Sequence, residues 1–299
     1  LRPWRLTGGV LLGLAVGTKW SALVFVAVLG LLTVGWDAAA RHGAGARRPV
    51  VGALVRDAAP AFVSTVGVGA AVYLASWTPW FRTPGAYGRQ WAVEHPGEGV
   101  TWLPEALRSL VKYHQDMWGF HTSLAAEHAY ASHPAGWLLQ LRPTSFFYEA
   151  PEPAQALCGA ERCSQAVTSL GNPLVWWLGS AAVVAVLWWA LRRRDGVAVA
   201  CLSGLVAGWL PWFAYTERTI FTFYAVVLLP WLVLCLAYAT QRLLAGAARR
   251  PEWLPATRVV VGAALLAVVA AALWFWPLWT AQVVPFRLWQ MRMWLPGWV

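Results

Sequence analysis

Two cationic residues, Lys19 and Arg218, lie within or between apolar segments. Lys19 interrupts an apolar stretch that runs from 6 to 36, and Arg218 lies in a brief turn between two other apolar runs. A buried ammonium tends to face a cavity or a counter-ion, and a guanidinium presents forked donors that suit phosphate. Both residues are therefore candidate phosphate ligands. The alternatives are that Lys19 snorkels to lipid headgroups or pairs with a carboxylate, and that Arg218 forms a surface ion pair with Glu217.

The histidines do not form a metal-binding pattern. His114 and His121 would lie two helical turns apart, on the order of 10 Å. Four residues separate His128 from His133, and Pro134 follows directly. The His-Glu-x-x-His spacing of zinc enzymes is absent, so we predict no metal site. Each histidine remains a single candidate for acid, base or hydrogen-bond donor, and no carboxylate is singled out by its spacing.

The four cysteines fall into two pairs. Cys201 and Cys235 lie within apolar runs and are expected to be inert packing residues. Cys158 and Cys163 share a segment predicted to lie outside the cytoplasm, where oxidation is allowed. A zinc site would need four ligands, and no second ligand pair lies near them. A disulfide between Cys158 and Cys163 is therefore favoured over a metal site.

The elements that carry these residues are predicted to be membrane-spanning helices. Hydrophobic residues make up 59% of the 299 residues, charged residues make up 12%, and there are 23 tryptophans. A soluble domain of this size is rarely so apolar. Several apolar stretches are long enough to cross about 30 Å of hydrocarbon. They lie near 58–77, 173–191, 196–215, 219–239 and 259–279.

The placement of charge predicts the orientation of the spans. A formal charge of +10 would also suit a nucleic-acid-binding protein, but the arginines cluster in three short loops between spans. By the positive-inside rule these loops are cytoplasmic, and no nucleic-acid partner is expected. The alternate segments hold nine of the thirteen carboxylates and five of the six histidines. We therefore expect a multi-pass protein of the cell membrane whose active face is extracytoplasmic.

The chain divides into four predicted parts. Residues 1–77 form a helical hairpin broken near Lys19 and a following transmembrane helix. Residues 78–171 form an external loop with an interfacial amphipathic helix. Residues 172–279 form four transmembrane helices, and 280–299 form an external tail. Because the first residue is leucine and no signal peptide precedes it, we expect a fragment of a longer protein.

Eight short motifs follow one another along the chain. They are Gly13–Ser21, Tyr113–Thr122, His128–Pro134, Trp137–Pro143, Cys158–Cys163, Leu170–Trp177, Glu217–Tyr224 and Met293–Trp298. In this order they resemble the C-terminal half to two-thirds of bacterial, actinobacterial-type polyprenol-phosphate-mannose protein O-mannosyltransferases. The resemblance runs through nearly the whole chain.

The resemblance implies an all-α, polytopic glycosyltransferase of the GT-C type. Such an enzyme transfers mannose from polyprenyl-phosphate-mannose to Ser or Thr hydroxyls of secreted proteins, by a metal-free inverting mechanism with no cofactor. The implied partners are the lipid-linked donor, unfolded secretory proteins, the Sec translocon and membrane lipid. The family's catalytic Asp, usually beside Glu, would lie upstream of Leu1. We therefore expect the fragment to be inactive alone.

The resemblance also assigns residues. Lys19 and Arg218 match charged positions in family motifs, which implies that they bind the donor phosphate. Weaker candidates for the external site are Tyr113, His114, His128 and Arg142. The sequence departs from the family pattern at Gly119, where an aromatic residue is common, and at Gly136, where a bulkier residue is common. These departures concern the acceptor side of the site.

Two other functions compete with this one. Another polyprenyl-phosphate glycosyltransferase, such as an aminoarabinose or arabinose transferase, would share the broken helix with its lysine and the external cationic site. The Tyr-His and His-Pro motifs of the outer loop favour mannosyl transfer to protein. A transporter would also have broken helices and an intramembrane lysine. Against a transporter, no inverted repeat is visible and the polar residues concentrate outside the spans.

Overall fold

The computed structural model describes residues 2–152 and 158–299, which form two compact units, Leu1–Ala125 and Ala126–Val299. Across these described residues, six helices are long and apolar enough to cross a membrane. This confirms the prediction of a largely helical, polytopic membrane protein. The boundary between the two units falls inside 78–171, the region predicted as one external loop.

The first unit consists of helices of very different lengths. The first two helices, Pro3–Thr18 and Ala22–Gly43, are separated by a break near Lys19, which adopts an extended conformation (φ −156°, ψ 128°). The second membrane-spanning helix of this unit, Ala58–Ser76, contains a π-helical turn at Val63–Gly67. The helices are α1 (Pro3–Thr18), α2 (Ala22–Gly43), α3 (Pro49–Arg56), α4 (Ala58–Ser76), α5 (Thr78–Arg82), α6 (Trp91–Glu94) and α7 (Glu105–Ser123).

Helix α1 packs against α4 through glycines. A Cβ atom on Gly9 would lie 3.2 Å from the carbonyl carbon of Ser64, and a Cβ atom on Gly13 would lie 2.9 Å from the Cα atom of Gly69. Small residues of this kind let two helix backbones approach closely in a membrane. The Ser64 hydroxyl, which lies in the π-helical turn, donates to the Pro60 carbonyl at 2.6 Å. The close approach fixes the position of the α1 end that carries Lys19.

Ion pairs join the opposite end of the first unit. Asp37, on α2, is buried and accepts hydrogen bonds from Arg2 and Arg5. Asp57 accepts two hydrogen bonds from Arg41, at 2.6 Å from Nε and 3.0 Å from Nη2. The Arg41 hydrogen bonds are the main cause that lowers the pKa of Asp57 below its usual value. Part of the basic charge predicted to be cytoplasmic therefore serves to tie helices together.

The second unit combines four long helices with a small sheet. The helix at Gly196–Gly208 continues as a 3-10 helix at Leu210–Tyr215, and another 3-10 helix at Thr222–Leu228 leads into the helix at Leu229–Ala247. Its elements are β1 (Ser145–Glu149), β2 (Cys163–Thr168), α8 (Pro173–Arg193), α9 (Gly196–Gly208), α10 (Leu229–Ala247), α11 (Leu254–Trp279), β3 (Val284–Pro285) and α12 (Phe286–Gln290).

The core of the second unit lies between α8, α9 and α10. Val186, Leu228 and Leu232 are fully buried there. A Cβ atom on Gly204 of α9 would fall inside the ring of Trp231 of α10, so these two helices meet at a glycine. The side chains of Asn172 and Asp195 cap α8 and α9 by accepting backbone N–H bonds, which satisfies donors that a helix start leaves without intrahelical partners.

The strands form an antiparallel sheet in the order β1-β2-β3. A disulfide joins Cys158 to Cys163, the first residue of β2, with their Cα atoms 6.0 Å apart. The end of the chain also returns to this region, because Trp298 is buried and its Nε1 donates to the Gln140 carbonyl at 2.7 Å. Residues 280–299, predicted as an external tail, thus pair and pack with the segment before α8.

Candidate functional site

The joint between α1 and α2 carries Lys19 and, directly after it, an anchored tryptophan. Trp20 Nε1 donates to the hydroxyl of Tyr73 on α4 at 2.9 Å. The Tyr73 hydroxyl lies 2.6 Å from Nε2 of His114 on α7, and Nδ1 of His114 lies 2.7 Å from the Leu110 carbonyl. One chain of hydrogen bonds therefore links the joint to α4 and α7.

The donors and acceptors of this chain can be assigned in one consistent direction. A carbonyl oxygen only accepts, so Nδ1 of His114 carries the proton that bonds to Leu110. An indole N–H only donates, so the Tyr73 oxygen accepts from Trp20. In the tautomer that carries its proton on Nδ1, Nε2 is an acceptor, so Tyr73 donates its own proton to Nε2. Each of the three side chains has its polar group satisfied at a half-buried position.

Aromatic rings surround this hydrogen-bond chain. The His114 ring centroid lies 5.1 Å from that of Trp20 and 5.0 Å from that of Trp77. Tyr113 makes an edge contact with Trp77 at 5.2 Å. Such ring pairs add packing energy beyond the area they bury. Two predicted site residues, Tyr113 and His114, are thus brought together with the residue that follows Lys19.

Arg218 occupies the turn between the two 3-10 helices of the second unit. Its backbone N–H donates to the Tyr215 carbonyl at 3.1 Å, and its guanidinium carbon lies 6.0 Å from the ring centroid of Trp212. Trp212 in turn packs against Tyr224 at 5.1 Å and against the fully buried Trp137 at 5.6 Å. A guanidinium half-buried beside an aromatic face is well placed to keep its orientation.

The Arg218 turn is tied to the segment that follows Ala126. Thr219 donates to the Ala126 carbonyl, and the Ser132 N–H donates to the Ile220 carbonyl at 2.8 Å. The exposed ring of His128 makes an edge contact with Phe221 at 5.0 Å. The structure therefore brings His128, a predicted site residue, to the turn that carries Arg218.

Arg142 is engaged with backbone oxygens. Its guanidinium donates to the Ala129 carbonyl at 2.9 and 3.3 Å, to Gly297 at 3.3 Å and to Val299 at 3.5 Å. It also lies over the ring of Tyr130, 5.4 Å from the centroid. These contacts join the outer segment to the end of the chain, so we interpret Arg142 as a residue that positions this region.

Several residues of these arrangements were not singled out by the sequence. Tyr73 and Trp77 lie at the end of an apolar run, and nothing local distinguishes them from ordinary interfacial aromatics. Thr222 bonds Ser132 at 3.0 Å across ninety residues of sequence. In the part of the chain that the structure describes, no group of three or more His, Cys, Asp or Glu side chains could hold a metal ion.

Comparison with known proteins gives consistent results. Residues 106–298 match the family model described as the C-terminal four TMM region of protein-O-mannosyltransferase. The chain is similar to polyprenol-phosphate-mannose–protein mannosyltransferases of Mycobacterium tuberculosis (34% identity), Mycolicibacterium smegmatis (35%) and Corynebacterium glutamicum (32%). The alignments cover 99 to 100% of this chain and 58% of each relative's length. The chain thus spans little more than half of these relatives.

One solved structure shares the fold. It is the protein O-mannosyltransferase Pmt1-Pmt2 complex of S. cerevisiae bound to the sugar donor, with a TM-score of 0.51 and 19% sequence identity. The match covers 64% of this chain and 27% of that chain.

Proposed function

The chain belongs to the protein O-mannosyltransferase family, and on that premise we propose that it is part of an enzyme that transfers mannose from polyprenyl-phosphate-mannose to Ser or Thr hydroxyls of proteins. The observation that carries this proposal is the similarity, at 32 to 35% identity along essentially the whole chain, to relatives named for this activity. We assign no base for the acceptor hydroxyl within this chain.

We propose that Lys19 and Arg218 bind the phosphate of the donor. During transfer, the bond between mannose C1 and a phosphate oxygen breaks, and the acceptor oxygen bonds to C1 while its proton passes to a base. The departing prenyl phosphate gains negative charge, and a fixed cation near that oxygen stabilises the transition state. Support comes from the anchoring of Trp20 beside Lys19 and from the aromatic face beside Arg218.

The proposal extends to the setting of the reaction. The enzyme would lie in the plasma membrane with its active face outside the cytoplasm, as the arginine-rich loops favour. Its acceptors would be unfolded secretory proteins delivered by the Sec translocon, and the transfer would need no cofactor. Tyr113, His114 and His128 would line the outer face of the site, where the acceptor segment passes.

The test is a transfer assay with the full-length protein in membranes. Labelled mannose on polyprenyl phosphate and a Ser/Thr peptide are supplied, with an arabinose-carrying donor in parallel. Removing one cation that stabilises the leaving group should lower kcat by on the order of 10²-fold. We expect this for Arg218→Ala and Lys19→Ala, but not for Arg287→Ala, an exposed arginine of α12. Transfer of arabinose alone, or of no sugar, would overturn the proposed function.

A double variant tests whether the two cations act on one phosphate. If both cations stabilise the same leaving group, the two substitutions should not be additive. The loss of transition-state stabilisation in the double variant should differ from the sum of the two single losses by about 0.5–3 kcal/mol. Strict additivity would show that Lys19 and Arg218 act separately, and the assignment of both to the donor phosphate would then be wrong.

A further inference from the structure

The second unit contains a cleft at the end opposite the Arg218 turn. It has a volume of about 680 Å³ and lies between the last turns of α8, the last turns of α10 and the start of α11. The residues that decide its chemistry are Trp189, Ala239, Arg242, Gly246, Arg250 and Trp253. None of them takes part in the arrangements around Lys19 or Arg218.

The floor of the cleft is apolar and its rim is cationic. Along α10 the small residues Ala239, Gly246 and Ala247 leave a depression on one helix face. Arg242 and Arg250 line the same cleft, and Trp253 stands beside them with 61% of its surface exposed. An apolar slot with cations and an exposed tryptophan at its edge is the arrangement expected at the level of lipid headgroups.

The cationic charge of the rim is only partly neutralised. Arg242 packs over the Trp189 ring, 5.3 Å from its centroid, and its Nη1 lies 3.4 Å from an Oδ2 of Asp195. That carboxylate also accepts hydrogen bonds from the Tyr238 hydroxyl and from the backbone of the α9 start. Its remaining capacity for Arg242 is therefore small.

The surrounding loops add further positive charge. The segments 192–195 and 242–258 together contain seven arginines and two carboxylates. A surface of this net charge attracts anionic headgroups over a Debye length. Most of this positive charge is not neutralised by ion pairs. Among the described residues of these two segments, Arg242 with Asp195 is the one ion pair formed.

We propose that this cleft binds an acidic glycerophospholipid, with the phosphodiester at Arg242 and Arg250 and one acyl chain along the small residues of α10. A free phosphate would use the arginines alone and would leave the apolar floor in contact with water. A neutral phospholipid would fill the floor but gain nothing from the net charge. The shape and the charge together thus favour one occupant.

The test uses the delipidated full-length protein in detergent. Native mass spectrometry measures binding of dioleoylphosphatidylglycerol, dioleoylphosphatidylcholine and inorganic phosphate. Arg242→Gln with Arg250→Gln should weaken phosphatidylglycerol binding by roughly tenfold or more, since each arginine near an anionic lipid adds on the order of fivefold. The matched control is Arg249→Gln with Arg258→Gln, which alters the same basic region outside the cleft.

A second pair of variants tests the floor without changing charge. Apart from the neighbouring backbone of its own helix, no atom lies within 4 Å of the Cβ position at Gly246, so Gly246→Leu should fold and fill the cleft. Gly262→Leu is equally unhindered and lies outside the cleft. We expect only Gly246→Leu to weaken phosphatidylglycerol binding. Equal loss from both members of either pair, equal affinity for phosphatidylcholine, or binding of phosphate with the lipid's affinity would overturn the proposal.

Discussion

A single added methyl group at Gly13 should impair mannose transfer although Gly13 touches no substrate in our proposal. Gly13 lies six residues before Lys19 on α1, where the helix meets α4. The Cβ atom of an alanine would lie 2.9 Å from the Cα atom of Gly69, whereas ordinary contact begins at 3.4 Å. The nearest atoms are backbone atoms of Gly69 and the Cβ atom of Val72, which is attached directly to the α4 backbone, so no flexible side-chain end can yield. The helices must therefore separate by about 0.5 Å or more.

The size of the effect follows from that displacement. A misplacement of about 1 Å at a reacting centre costs on the order of 10²-fold in rate, so half of it should cost roughly tenfold. Overpacking should also destabilise the fold by about 1–3 kcal/mol. The higher helix propensity of alanine should offset up to about 1 kcal/mol of this loss. We expect Gly13→Ala to lower kcat roughly tenfold in the polyprenyl-phosphate-mannose assay.

The matched control is Gly8→Ala on the same helix. Apart from the neighbouring backbone of its own helix, no atom lies within 4 Å of the Cβ position at Gly8, so this variant should retain full activity and gain slightly in stability. Measuring kcat beside the melting temperature in detergent separates displacement from unfolding. If Gly13→Ala matches Gly8→Ala in both measurements, the reasoning that backbone contact positions Lys19 is refuted.

Three further outcomes are expected. Tyr73→Phe removes the hydroxyl that two ring nitrogens share and should cost about 1–3 kcal/mol of thermal stability; an unchanged melting temperature would contradict the hydrogen-bond chain. Hydrogen bonding from Tyr238 lowers the pKa of the Asp195 carboxyl below its ordinary value. The stability that Asp195 adds should therefore be complete above about pH 4 and lost as pH falls further, a dependence that Asp195→Asn should reduce in acid unfolding curves. Gly204→Ala should lower the melting temperature, by about 1–3 kcal/mol in stability, because its Cβ would enter the ring of Trp231; a melting temperature equal to wild type would show that the ring moves freely.

Features that the sequence encodes locally were predictable. The helix break lies where Gly17-Thr18-Lys19 suggests a flexible joint, and α1 ends at Thr18. Asn172 followed by proline predicts a helix start, and α8 begins there, at Pro173. The end of α1 and the start of α8 each depend on a few neighbouring residues.

Features that depend on distant partners were not predictable. Strand β2 pairs with β3, which lies about 120 residues later. No local pattern in Cys163–Thr168 predicts that pairing. The hydrogen-bond chain joins Trp20 to Tyr73 and His114 across most of the first unit. The sequence singled out His114 as a polar residue in a motif, but its partner hydroxyl lies in an apolar span. Side-chain networks of this kind become visible only when the helices are assembled.

The two cations that we assign to the donor phosphate are positioned by one kind of contact. In the first unit, Gly13 lets α1 reach α4 and so sets where Lys19 lies. In the second unit, Gly204 admits the ring of Trp231 and so sets the distance between the helices that lead to the Arg218 turn. At Gly13 the two helix backbones meet directly, and at Gly204 a helix backbone meets an indole ring, so neither contact leaves room for an added methyl group. Catalytic geometry in this family member should therefore be more sensitive to methyl groups at these glycines than to larger changes on exposed helix faces.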